Sequence, residues 1–231
     1  MFSRINRWFG NGWEGIAELL LTALCVFFSL SIHEFAHGYA AYKMGDDTAK
    51  NMGRLNISPF SHLDPIGAIC LFLFGFGWAK PVPINPRNFR PGRYKSGMVI
   101  TSLAGPVSNL IVCFLCCLVY SIIIRSFGGI ELSRGVYVVV TVVLTMLQVL
   151  VSMNISLAVF NLIPIPPLDG SKILNAVLPA RIYFKIMQYE QFGFIILIIL
   201  INTPFFGRVL SLLASSILSV FNWIIGLIPF L

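Results

Sequence analysis

The stretch Leu30-Ser-Ile-His-Glu-Phe-Ala-His37 stands inside the apolar run Leu19–Ala41. A run of that length reads as a helix crossing a bilayer, because about 20 apolar residues span the hydrocarbon core. On a helix, positions i and i+4 share a face, so His33 and His37 can reach one metal ion together. Glu34 lies beside them, where the general base for a metal-activated water belongs. Ionisable groups at membrane depth are costly and usually mark function. The alternative is a pair of core histidines hydrogen-bonded to neighbouring helices.

The rest of the chain fits a membrane setting. Of 231 residues, 57% are hydrophobic and only 11% charged, and the mean hydropathy is +0.86. Soluble domains are far less apolar. The apolar segments Ile16–Met44, Val99–Ile124, Val136–Ile163, Phe192–Asn202 and Phe205–Phe230 alternate with polar loops. They predict an all-α polytopic membrane protein of about five transmembrane helices, with four as the alternative. The expected organisation is one intramembrane domain over 1–231, with a core at about 16–178 and C-terminal apolar helices at about 189–230. Arg4 and Arg7 ahead of the first run mimic a signal peptide. No small-residue cleavage site follows, so the segment is expected to be retained. The net charge of +7 is explained by basic loops on one side of a membrane, without any nucleic acid. Cys25, Cys70, Cys113, Cys116 and Cys117 all lie in apolar segments and read as small hydrophobes, not a disulfide framework.

Two imidazoles do not complete a catalytic zinc site, which usually has three protein ligands, often including a carboxylate. Asp169 is the candidate in apolar surroundings, at the end of Asn161-Leu-Ile-Pro-Ile-Pro-Pro-Leu-Asp-Gly170. The prolines break the helix and free backbone carbonyls. A cap on the following helix is the other reading of Asp169. If Asp169 joins His33 and His37 on one metal, the first span and Val136–Ile163 must run in the same direction. Val99–Ile124 supplies the one return crossing between them. The segment Ile66–Ala79, about 21 Å long as a helix, is then a re-entrant or β-hairpin dip between the first and second true spans. Protein or a water-filled cavity must satisfy such backbone. With the dip, the loops Lys43–Lys95 and Asp169–Glu190 share the more basic side, which is expected to be cytoplasmic.

These motifs resemble the site-2 protease family of intramembrane zinc metalloproteases. The likeness covers about Leu30–Gly170: HEFAH, GRLNISPFSHLDPIG, FGFGWAKPVPINPRNFR, SLAGPVSNL and NLIPIPPLDG. It is nearest to the small prokaryotic branch without PDZ or CBS domains. One departure is that the first proline of the family's NPxDG core is displaced within Asn161–Gly170. The resemblance implies one zinc per chain on His33, His37 and Asp169, with Glu34 taking a proton from the attacking water and passing it to the leaving amine. Asn161 and Asn109 fit oxyanion stabilisation or substrate positioning, or, in the case of either, an interhelical hydrogen bond. His62 is a possible accessory group or a structural histidine. The extended stretch Pro81–Asn85 has the character of an edge that pairs with a substrate strand. The implied substrates are transmembrane or membrane-associated proteins in a prokaryotic cell membrane, cut near the cytoplasmic face. A metal transporter would spread polar groups over several spans or show an inverted repeat, and a pure binding protein has no need of Glu34.

Overall fold

The computed structural model describes residues 12–74 and 78–228. Arg4 and Arg7, the tip of the expected dip at 75–77 and the end at 229–231 lie outside the described residues. Among the described residues, four helices are long and apolar enough to cross a membrane. They are α1 (Gly12–Met44), α5 (Tyr94–Phe127), α6 (Arg134–Asn161) and α10 (Pro204–Gly226). Between α1 and α5 lie the short helices α2 (Thr48–Asn51), α3 (Pro59–His62) and α4 (Pro65–Phe74). Between α6 and α10 lie α7 (Asp169–Val177), α8 (Ala180–Met187) and α9 (Glu190–Ile201). Arg181–Met187 and Glu190–Ile201 form a pair bent by 55° that makes a fifth, broken span if counted as one. The expectation of four to five apolar spans therefore holds.

The helices are apolar outside and partly polar inside, the reverse of a soluble bundle. Leu20, Ile111, Val139, Ile199 and Leu212 are exposed, while Ser29, Asn109 and Asn154 are fully buried. In hydrocarbon there is no hydrophobic drive between helices, so close packing and interhelical hydrogen bonds hold the bundle. Helix α5 packs between α1 and α6. Along α1, Cys25 contacts the Met146 carbonyl and Ser29 meets Asn154, so α1 and α6 run in parallel. His33 meets Asn109 and His37 meets Thr101, so α5 runs against them. The four cysteines Cys25, Cys113, Cys116 and Cys117 fill these interfaces as free thiols. Helix α10 covers the far half of the α5–α6 pair, where Phe114 and Phe221 meet edge to face.

The loop after α1 folds back on itself. Leu63 and Ala79 form an isolated antiparallel bridge, and the Lys80 N–H donates to the His62 carbonyl at 2.8 Å. Gly67 at the start of α4 lies against the Trp78 carbonyl, so closely that a Cβ would collide with it. No further strand pairing occurs among the described residues, and the part of the expected dip at Pro65–Phe74 is helix rather than hairpin. An apolar, glycine-containing run with no N–H partner nearby satisfies its own backbone best as a helix.

Candidate metal centre

Helix α1 presents His33 and His37 on one face, one turn apart, and both are buried. Asp169 is the first residue of α7. The proline-interrupted turn after α6 delivers it to the same point, and it too is buried. His33 Nε2 and His37 Nε2 lie 3.0 Å apart, and each faces Asp169 Oδ2, at 3.2 and 3.0 Å respectively. These three atoms form a group able to hold a metal ion. The two distant motifs therefore meet, as expected.

The hydrogen bonds around the imidazoles test whether a cation fits. Asn109 Nδ2 faces the Ser29 carbonyl and Asn154 Oδ1, both acceptors, so its Oδ1 is turned to His33. His33 Nδ1–H donates to that Oδ1 at 2.6 Å. His37 Nδ1–H donates to the Thr101 carbonyl at 2.6 Å. With the protons on Nδ1, both Nε2 atoms carry lone pairs, and these converge with a carboxylate oxygen. A metal ion shared by all three satisfies these converging lone pairs in a buried site. Metal-bound histidines are usually oriented in this way by acceptors on the other ring nitrogen. For tetrahedral zinc with bonds of about 2.0–2.1 Å, neighbouring ligand atoms lie ~3.3 Å apart, close to the spacing seen here. The donor set of two imidazoles and a carboxylate also suits zinc.

Gly105 makes room for this cluster. A Cβ there would run into both His33 and His37, so α5 can approach α1 this closely only without a side chain. Lys172, one turn into α7, donates to the second carboxylate oxygen of Asp169 at 3.2 Å. Glu34 is half-buried, and its Oε2 accepts the Val82 N–H at 2.7 Å. Glu34 and the three cluster residues line one cavity of about 1420 Å³. That exceeds the usual small-molecule range of roughly 300–1,000 Å³.

The other candidates fall differently. Asn109 is fully buried, and its amide is spent on His33, Ser29 and Asn154. It orients an imidazole and has no donor left for an oxyanion. Asn161 lines the cavity, but its Nδ2 donates to the Leu157 carbonyl of its own helix at 3.0 Å. His62 is buried outside the cluster; its Nε2 bonds the Asn56 carbonyl at 2.9 Å and its Nδ1 has no partner among the described residues. Asn154 was not singled out from the sequence, although a lone Asn within an apolar span is a signal. Thr101, Val82 and Gly105 act through backbone groups or through the lack of a side chain, which residue chemistry does not flag.

The peptidase family M50 model matches residues 21–201. The chain is 41% identical over 182 residues to YwhC of Bacillus subtilis, covering 79% of this chain and 80% of that protein. It is 29% identical over 185 residues to Rip2 of Mycolicibacterium smegmatis, covering 78% of this chain and 66% of that one. Rip2 of Mycobacterium tuberculosis is 28% identical over 192 residues, with 78% and 68% covered. All three are assigned by name to the zinc metalloproteases. No solved structure matches the chain.

Proposed function

This chain belongs to peptidase family M50, and from that premise we propose how its residues divide the work of an intramembrane zinc endopeptidase. It hydrolyses peptide bonds of membrane-associated proteins within the bilayer. The observation that carries the reading is the meeting of three lone-pair atoms from HEFAH and Asp169 in one cavity with Glu34. His33, His37 and Asp169 hold one zinc per chain. Zinc, when bound, supplies the Lewis acidity that makes water nucleophilic near neutral pH and polarises a carbonyl. Glu34 takes the proton of the attacking water and delivers it to the leaving amine. Asn109 and the Thr101 carbonyl fix the imidazoles in the tautomer that leaves each Nε2 free to bind metal. Asn161 remains the candidate for contact with substrate, since it lines the cavity and only its amide nitrogen is engaged by its own helix among the described residues.

The substrate is a transmembrane or membrane-associated protein whose scissile segment enters the cavity unwound. The Pro81–Asn85 stretch beside Glu34 is the proposed edge for that extended segment. The catalytic core is residues 16–178 of the single domain 1–231, with residues of α9 and α10, in the apolar C-terminal part, completing the cavity wall. Residues Ile66–Ala79 form a re-entrant dip between the first two spans. The parallel direction of α1 and α6 and the Leu63–Ala79 bridge support it. The basic loops on the metal side support a cytoplasmic position for that side.

Zinc content and cleavage test the reading together. The purified native chain should hold about one zinc, lost in His33→Ala and in Asp169→Ala. Glu34→Gln should keep the zinc and lose cleavage. Zinc that survives loss of Asp169 would remove the third ligand, and cleavage by Glu34→Gln would remove the base.

A further inference from the structure

The stretch 80–85 has no sheet around it among the described residues, yet charged side chains hold its backbone at four groups. Arg54 Nη2 donates to the carbonyls of Lys80 at 3.0 Å and Pro81 at 3.3 Å. Glu34 Oε2 accepts the Val82 N–H, and Asp46 Oδ2 accepts the Asn85 N–H at 2.7 Å. Asp46 is almost wholly buried just past α1. Its other oxygen takes the Thr48 N–H at 3.1 Å, the Thr48 hydroxyl and Asn88 Nδ2 at 2.8 Å. Pro81, Pro83 and Pro86 carry no N–H. Val82 therefore owns the one amide hydrogen between Lys80 and Ile84, and it points at Glu34.

We propose that Arg54 and Asp46 are positioning residues for Glu34, acting through Val82. Arg54 clamps the two carbonyls just before Val82, and Asp46 clamps the N–H three residues after it. Between these fixed points the Val82 N–H stays on Glu34 Oε2. A carboxylate held at one oxygen by a charge-assisted bond has its rotamer set, and the second oxygen is left for proton transfer. The proposal rests on Glu34 being the general base. A proline-rich segment without a ladder cannot hold this geometry alone, and small misplacement of a catalytic group is costly.

The test uses the zinc-loaded full chain in detergent with fluorescein-labelled casein as the cleavage probe. Arg54→Met should lower kcat by about tenfold or more with KM within about twofold, as expected for a misplaced base. Arg54→Lys should recover most of kcat, because one nitrogen of Arg54 bridges both carbonyls and an ammonium can replace it. Amide exchange of the 81–83 segment is read in parallel, since there the Val82 N–H stands alone between prolines. It should speed up about tenfold or more in Arg54→Met. Asp46→Asn keeps an acceptor for Thr48 and Asn88 but not for Asn85, and should give the same result if Arg54→Met fails to fold. Unchanged kcat, a rise in KM alone, or unchanged Val82 exchange would overturn the proposal. Should the native chain leave casein as intact as Glu34→Gln does, casein is not a substrate, and the exchange measurement alone decides whether Arg54 and Asp46 hold Val82.

Discussion

The Asn109 side-chain carbonyl accepts the Nδ1–H of His33 at 2.6 Å, and the same amide donates to Asn154 at 2.7 Å. Asn154 in turn donates to Ser29 Oγ at 2.9 Å and to the Leu150 carbonyl at 2.8 Å. A chain of buried amides thus ties the three central helices to the orientation of one imidazole. Asn109→Leu removes the acceptor and leaves His33 free to adopt the other tautomer. Groups that orient metal ligands are typically worth roughly 10–100-fold in metal affinity. Competition with a chromogenic chelator should show zinc affinity reduced by about that factor, with the helical content retained.

Gly105 gives a sharper separation of site from fold. A Cβ at this position meets both His33 and His37, and α5 itself gains a better helix former with alanine. Gly105→Ala should therefore abolish stoichiometric zinc binding while thermal unfolding of the metal-free protein shifts little. Full zinc occupancy in this variant would show that α5 can retreat from α1 at no cost to the ligands.

The legibility of this site in the sequence follows from which groups do the work. HEFAH and Asp169 are visible because ionisable side chains are rare in apolar surroundings and two of them keep helical spacing. Sharing one metal between HEFAH and Asp169 also implies the parallel direction of α1 and α6. Asn109 was visible as a polar residue in a span, but its role stayed open, because choosing between substrate and an imidazole needs the neighbouring helix. The anchors of His37 and Glu34 were hidden, since both are main-chain groups, of Thr101 and Val82. The bend between Arg181–Met187 and Glu190–Ile201 was also hidden, because a mixed polar stretch does not encode how its two helices meet.

Asp46 predicts a pH response outside the spans. Burial alone would raise its pKa, but donors from Thr48, Asn85 and Asn88 outweigh it and hold the carboxyl below the usual range. The folded state therefore releases this proton more readily than the unfolded chain, whose aspartates titrate near ~3.9. Its stabilisation is complete above that unfolded value and is lost as pH falls through the lower folded one. Unfolding in detergent should show this acid-dependent loss in the native chain and a smaller one in Asp46→Asn. At neutral pH the variant should be destabilised by about 1.5–3 kcal/mol, the range for hydrogen bonds to a charged group.

The proposed dip makes a topological prediction that activity does not enter. If Ile66–Ala79 returns to the side it left, residues before and after it share one face of the membrane, and the α5–α6 connection lies on the other. Met52 and Arg90 are exposed on either side of the dip, and Ile130 is exposed in that connection. Met52→Cys and Arg90→Cys, each in a background with Cys70→Ser, should react with a membrane-impermeant maleimide from the same face. Ile130→Cys should react from the opposite face. The four other native cysteines are buried and should contribute little background. In intact cells, with the basic loops cytoplasmic, only Ile130→Cys should be labelled before permeabilisation. Labelling of Met52→Cys and Arg90→Cys from opposite faces would make Ile66–Ala79 a crossing. The α1 and α6 directions would then have to be reconciled with a further turn in the chain.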